Sequence, residues 1–143
     1  MNRHIEPALV LIMVCVVFSL AGCGGSSTSP SAQPQIIQGS RSLAAGQIDV
    51  VNFVATRAGS LSASVDWTNA DNDIDTFLVG GTCSFSDLLT EAAGCTEDDT
   101  IASDESLAKP AVFTATVAEG AYTVILYMPS GTTDTVTWRI EIN

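Results

Sequence analysis

The chain predicts an all-β fold, an antiparallel β-sandwich, set behind a short apolar leader and a flexible tether. Two observations carry that expectation. Apolar and polar residues alternate with period two in run after run, and clusters of Gly, Asn, Asp and Pro break the runs at short intervals. Six or more short strands at this spacing pack as two antiparallel sheets. In a chain of 143 residues, positions 36–143 supply one core and leave no room for a second.

Each element has its own reason. Ile48 to Ala55 is rich in Val and Phe, and its alternation slips between Val50 and Val51, which predicts a bulge there. Leu61, Ala63, Val65 and Trp67 alternate with Ser60, Ser62, Ser64 and Asp66, a strand with one wet face. Ile74 to Val79 gives a further strand. A helix fits between Cys83 and Cys95: Ser84 or Ser86 caps it, Phe85, Leu88 and Leu89 turn to the core, and Gly94 ends it. Ala111, Phe113, Ala115 and Val117 alternate with Val112, Thr114 and Thr116. Tyr122, Val124, Leu126 and Met128 alternate with Thr123, Ile125 and Tyr127, apolar enough on both faces for a central strand. Val136, Trp138, Ile140 and Ile142 alternate with Thr135, Thr137, Arg139 and Glu141. Turns fall at 57–59, 69–72, 80–81, 119–120 and 129–131, and there is no internal repeat.

The leader carries the information on location. Arg3, His4 and Glu6 precede an uncharged run from Ala8 to Ala21. That run is shorter than the roughly 20 residues a spanning helix needs and suits the apolar region of a signal peptide helix. It ends in Leu20-Ala21-Gly22-Cys23, which resembles the lipobox of bacterial lipoprotein signals. The resemblance implies cleavage before Cys23, which becomes the first mature residue and carries lipid, palmitate among its acyl groups, on its sulfur. Two or three acyl chains are enough for stable anchoring. Gly24-Gly25-Ser26-Ser27-Thr28-Ser29-Pro30 follows as a tether, since such a stretch buries too little apolar surface to order itself. The expected organisation is a signal peptide over 1–22, a lipidated Cys and tether over 23–35, and the sandwich over 36–143. The implied location is the cell envelope, membrane-anchored and periplasmic or surface-exposed. In a host with two membranes, Gly24 in place of Asp implies the outer one. An ordinary secretory signal and an uncleaved anchor are the alternatives.

Charge and composition then exclude whole classes. The net charge is −11, and removing 1–22 takes one acid, Glu6, and one base, Arg3, so it does not change. Such a domain lacks the clustered Lys and Arg that hold phosphates, so nucleic acid is not an expected partner. Acidity suits cations, metal ions above all, but it also serves plain solubility. The single histidine, His4, leaves with the signal. The remaining chain can form no Ser-His-Asp or Cys-His pair and offers no imidazole to zinc, so no enzyme is expected. Cys15 leaves with the signal and Cys23 takes lipid, which isolates Cys83 and Cys95. In an oxidising envelope that pair forms a disulfide; the spacing is not Cys-x-x-Cys and no basic residue neighbours either thiol.

The order of motifs along the domain resembles the bacterial pre-peptidase C-terminal (PPC) domain, a jelly-roll-like β-sandwich appended to secreted proteases. The matching stretches are Gly46 to Phe53, Ala58 to Trp67, Asn72 to Leu78 with its Asp73-Ile74-Asp75 core, and Glu119 to Val124. The family reads Pro-Gly-Thr-Tyr where this chain has Glu119-Gly120-Ala121-Tyr122, and it tends to an apolar residue at Thr76. The resemblance implies a module that assists secretion, folding or adhesion of an attached enzyme, here without the enzyme.

Asp73 and Asp75, two apart, put both carboxylates on one face if they share a strand, and Asp71 precedes them in the turn. Together Asp71, Asp73 and Asp75 are a candidate calcium site, since calcium takes six to eight oxygens. Glu97, Asp98 and Asp99 add ligands if the fold brings them close. An EF-hand is excluded, because Thr76 stands where the sharp turn needs Gly. Turn chemistry and edge protection explain the same acids without a metal. Nor do adjacent acids on one strand flank a substrate as glycosidase carboxylates must. Of the aromatics, Trp67, Trp138 and Tyr122 fall on the apolar face, whereas Tyr127 and Phe77 are the candidates for exposure. Two functions remain: a lipid-anchored, non-catalytic binding or accessory module for an envelope protein or polysaccharide, or a structural envelope protein that mediates assembly. An exposed aromatic or acidic patch on one sheet face favours the first; a uniformly polar surface with a bare edge favours the second.

Overall fold

A computed structural model describes residues 33–143; the leader, Cys23 and the tether up to residue 32 lie outside them. Eight strands follow in order: β1 (Gln35–Leu43), β2 (Ile48–Ala55), β3 (Gly59–Trp67), β4 (Asp75–Gly80), β5 (Thr100–Asp104), β6 (Ala111–Val117), β7 (Gly120–Tyr127) and β8 (Asp134–Ile142). A single short helix, α1 (Phe85–Leu89), lies between β4 and β5. The pairing rule is simple. β1 runs antiparallel to β8, β2 to β7, β3 to β6 and β4 to β5, as in one long hairpin rolled up on itself. Contacts of β3 with β8 and of β4 with β7 complete two four-stranded sheets, in the orders β1-β8-β3-β6 and β2-β7-β4-β5. This is the jelly-roll wrap. Gln35 already belongs to β1, so the sandwich begins within the stretch the sequence assigns to the tether. The two end strands close on each other, which makes Ala32–Asn143 one unit with its own core.

Alternation decides which side chains fill that core. Leu61, Ala63, Val65 and Trp67 of β3 are buried, as are Val136, Ile140 and Ile142 of β8. Facing them across the sandwich are Val51, Phe53 and Ala55 of β2 and Tyr122, Val124 and Leu126 of β7, with the Phe53 and Tyr122 rings stacked 5.8 Å apart. Trp138 shares this face but is only half-buried. Its partner across the ladder is Gly39, and the indole lies over the space a Cβ there would fill, 2.5 Å from Cζ2.

Three local expectations need correction. β2 has no bulge: its register with β7 runs unbroken from Ile48 opposite Tyr127 to Ala55 opposite Gly120. The alternation slips because both faces of its first half are covered. Val51 points into the sandwich, while Ile48 and Val50 pack outward beneath the loop that follows β4. The register shift in this sheet lies between Leu78 and Val79 instead, where β4 meets β5.

The helix is also shorter and more exposed than its sequence suggests. Ser84 caps it in a reciprocal box with Asp87, but only Leu88 packs inward; Phe85 and Leu89 are 50% and 65% exposed. It ends at Thr90, not Gly94. The N–H groups of Glu91 and Ala92 return to the carbonyls of Leu88 and Asp87, with Glu91 in the left-handed conformation at φ 50°. The disulfide closes this segment within twelve residues, leaving space for little more than one turn, and Gly94 serves the bend into Cys95.

The third correction concerns the acids ahead of β4. That strand begins at Asp75, so Asp73 lies before it and the two carboxylates do not share a strand face.

Candidate functional site

The outer face of the β2-β7-β4-β5 sheet is apolar at one end. Ile48 and Val50 of β2, Ile125 and Tyr127 of β7 and Phe77 and Val79 of β4 form a second cluster outside the main core. A bare face of this kind needs a cover. The loop from Gly81 to Asp99 supplies one, clipped by the Cys83–Cys95 disulfide, whose Cα atoms are 5.8 Å apart. The disulfide and Leu88 sit directly on the apolar face.

Polar contacts hold the loop's near end to the sheet. Thr123, fully buried on β7, accepts the Cys83 N–H at 2.9 Å through its hydroxyl oxygen. That hydroxyl lies 2.5 Å from Asn52 Oδ1, and Asn52 Nδ2 donates to the Cys83 carbonyl at 3.0 Å. The far end is a 3-10 turn, Glu97–Asp99. There Asp99 accepts the Thr96 hydroxyl at 2.6 Å and the Thr96 N–H at 3.0 Å, which holds the Asp99 carboxyl below its ordinary range. With Asp99 so engaged, Glu97 and Asp98 are left pointing to solvent.

The cover is incomplete. Between loop and sheet lies a groove of about 470 Å³, within the size range of small-ligand sites. Ile48, Phe77, Ile125 and Tyr127 make its floor, Leu88 and Cys95 one wall, and Glu91, Glu97 and Asp98 its rim, with Thr96 and Thr100 between them. The Thr100 hydroxyl oxygen is buried without a hydrogen-bond partner. Among the described residues the basic side chains are engaged elsewhere. Arg41 pairs with Asp49, Lys109 with Asp66 and Arg139 with Glu141, while Arg57 donates to the carbonyls of Gln33 and Ile142. None lines the groove. Its rim is therefore uncompensated negative charge over an apolar floor.

Tyr127 and Phe77, the two aromatics that the alternation leaves outside the core, are both half-buried in this floor. Sequence reasoning did not find the groove as a whole. Its signal was present in the slip at Val50 and the two-sided apolarity of β7, both of which imply something packed on the outside.

The candidate calcium residues are arranged differently. Asp71 is exposed in a turn, its N–H bonded to Asn69 Oδ1 at 3.1 Å. Asp73 has one buried carboxylate oxygen with no partner. Asp75 opens β4, and its carboxyl is raised by burial first and then by the charges of Asp73, Glu105 and Asp104. Among the described residues no three acidic, histidine or cysteine side chains converge on one point. Glu97 and Asp98 belong to the groove rim, and Asp99 to its own turn.

The acid with the strongest set of partners is Asp134, which the sequence reading passed over. Buried at the start of β8, it accepts from the Thr68 N–H, the Thr68 hydroxyl, the Thr135 N–H, the Asn69 N–H at 2.8 Å and Asn72 Nδ2 at 2.9 Å. Burial pushes its pKa up, and the hydrogen bonds outweigh burial, holding it far below the ordinary carboxylate range. Asn72 adds bonds to the Thr132 N–H and carbonyl, and its own carbonyl accepts Trp67 Nε1 at 3.0 Å. Two loops at one end of the sandwich are tied together there by a satisfied polar network.

No protein-family model matches the chain, and no curated protein does. Among solved structures, a pre-peptidase C-terminal domain of collagenase from Bacillus anthracis aligns with TM-score 0.52 at 17% identity. That alignment covers 74% of this chain and 87% of that one. The Yersinia pseudotuberculosis-derived mitogen aligns with TM-score 0.54 at 15% identity, over 78% of this chain and 88% of that one. At these identities the likeness is one of fold. It agrees with the PPC-like β-sandwich that the motif order implies.

Proposed function

We propose that this chain is a lipid-anchored, non-catalytic binding module of the bacterial cell envelope. The observation that carries binding over scaffolding is the groove on the outer face of the β2-β7-β4-β5 sheet. An apolar floor with two half-buried aromatics is kept partly open by a disulfide-clipped loop and ringed with acids. That combination supports a recognition surface better than a uniformly polar wall element would. The absence of histidine after residue 4 supports a role without histidine-driven acid–base catalysis or a histidine-activated Ser or Cys nucleophile, since histidine is the side chain most often used as general base. The PPC-like fold is in keeping with an accessory module.

The anchor rests on the leader. Cleavage before Cys23 and acylation of its sulfur place the sandwich at the end of a Gly/Ser tether beside the membrane. The domain's −11 charge repels anionic headgroups, which holds its surface off the bilayer and free to meet an envelope protein or polysaccharide. Cell fractionation tests this reading. The wild-type chain is expected in the membrane fraction, and Cys23→Ser is expected to leave it. Equal partition of the two would remove lipid from the account.

A further inference from the structure

We infer that the groove between the disulfide loop and the outer sheet face is a site for a small organic cation, an ammonium group carried on an aromatic or branched aliphatic body. This rests on the reading of the chain as a binding module and names the chemistry of its ligand. The floor made by Ile48, Phe77, Ile125 and Tyr127 takes the apolar body, and its volume of about 470 Å³ fits one such molecule, not a folded partner. Charge then chooses among apolar ligands. Glu91, Glu97 and Asp98 stand on the rim with no basic side chain lining the groove, so an anion is repelled and a cation drawn in. Aromatic floors accept the same cations through their ring faces.

Glu91 on the rim follows the α1 cap with φ 50°, a left-handed position that ordinarily falls to Gly, so a glycine there removes the charge while suiting the backbone.

The test uses Ala32–Asn143 expressed alone, the unit with its own core and paired end strands, and three probes of similar shape. These are 2-phenylethylamine, the neutral 2-phenylethanol and the anionic 3-phenylpropionate, each titrated while methyl and amide NMR signals are followed. The amine is expected to shift the Ile48, Leu88 and Ile125 methyls and the Thr96 to Asp98 amides. Its preference over the alcohol is expected to be about tenfold at low salt, falling as salt is added, because the rim charges are exposed and screened. The carboxylate is expected to leave those signals unmoved. In the triple variant Glu91→Gln, Glu97→Gln, Asp98→Asn, the amine and alcohol should bind alike. Glu91→Gly alone should weaken the amine while leaving the fold intact or firmer, which separates lost binding from lost structure. Equal binding of all three probes, or shifts confined to other faces, overturns the cation site. Such a failure leaves the Cys23 fractionation result untouched, so the two readings fail separately.

Discussion

Replacing Asp134 by Asn tests whether the loops at one end of the sandwich are held by a buried charge. The variant keeps the shape of the side chain and exchanges one acceptor oxygen for a donor. Three groups point at Oδ1, the Thr68 N–H and hydroxyl and the Thr135 N–H, and two at Oδ2, the Asn69 N–H and Asn72 Nδ2. An amide that satisfies the first three faces the other two with its own N–H groups. Two donors then lose their acceptor, and the remaining bonds lose their charge. At roughly 1–3 kcal/mol for each stranded donor, the expected loss is about 3 kcal/mol. For a domain of this size that corresponds to a fall in Tm of about 15 °C.

The effect should also depend on pH. The folded carboxyl titrates below the unfolded one, so the unfolded chain binds more protons between the two values and stability rises with pH there. The contribution is complete above the unfolded value, about 4, and is lost as pH falls from there toward the folded value. Urea unfolding of Ala32–Asn143 and its Asp134→Asn variant at pH 7 and at pH 2.5 measures both effects. The gap should be large at pH 7 and visibly smaller at pH 2.5. A gap below about 1 kcal/mol at pH 7, or one that acid does not narrow, refutes the reasoning.

Four further outcomes are expected. Glu91→Gly should raise stability by about 0.5–1 kcal/mol by relieving the left-handed backbone, measured by thermal melting; a loss would mean the side chain stabilises the fold itself. Gly39→Ala should cost about 1–3 kcal/mol and shift Trp emission to the red, because the new Cβ displaces the Trp138 ring toward water. Cys83→Ser and Cys95→Ser should each cost about 3 kcal/mol and match one another, and unequal losses would mean that one cysteine has a second role. Asp75→Asn should stabilise at pH 7 and have no effect at pH 3, since burial and neighbouring charges penalise only the ionised form. The same melts with calcium and with chelator show whether a cation relieves that penalty.

Much of the fold is legible in the sequence because alternation is a local signal of burial. β3, β6, β7 and β8 read directly from residues such as Leu61, Ala63, Val65 and Trp67, whose neighbours are Ser and Asp. β1 and β5 do not read this way. Ile36-Ile37-Gln38-Gly39-Ser40 mixes types because an edge strand is covered on one face and fringed by water, and Thr100–Asp104 is too short to show a period. The helix misleads for another reason: Phe85 and Leu89 have the spacing of a buried stripe, but the disulfide ring presents only Leu88 to the sheet.

The groove and the Asp134 network share one obstacle. Both join residues far apart in the chain, Ile48 with Asp98 and Thr68 with Asp134, and no local pattern records which loops meet. Asp134 sits among Thr132, Thr133 and Thr135 and reads as solvated turn chemistry until its donors are seen to arrive from the 68–72 loop. The Asp71–Asp75 run meets the same limit: Asp71, Asp73 and Asp75 are near one another in sequence, and among the described residues no three acids converge on one point.

The most direct test of the account is the intact mass of the protein purified from its own membrane fraction. The expected species begins at Cys23 and is heavier than the bare 23–143 polypeptide by a diacylglyceryl group, with or without a third acyl chain. A mass equal to the whole 143-residue chain, or to an unacylated chain cut elsewhere, would contradict a lipid-anchored module.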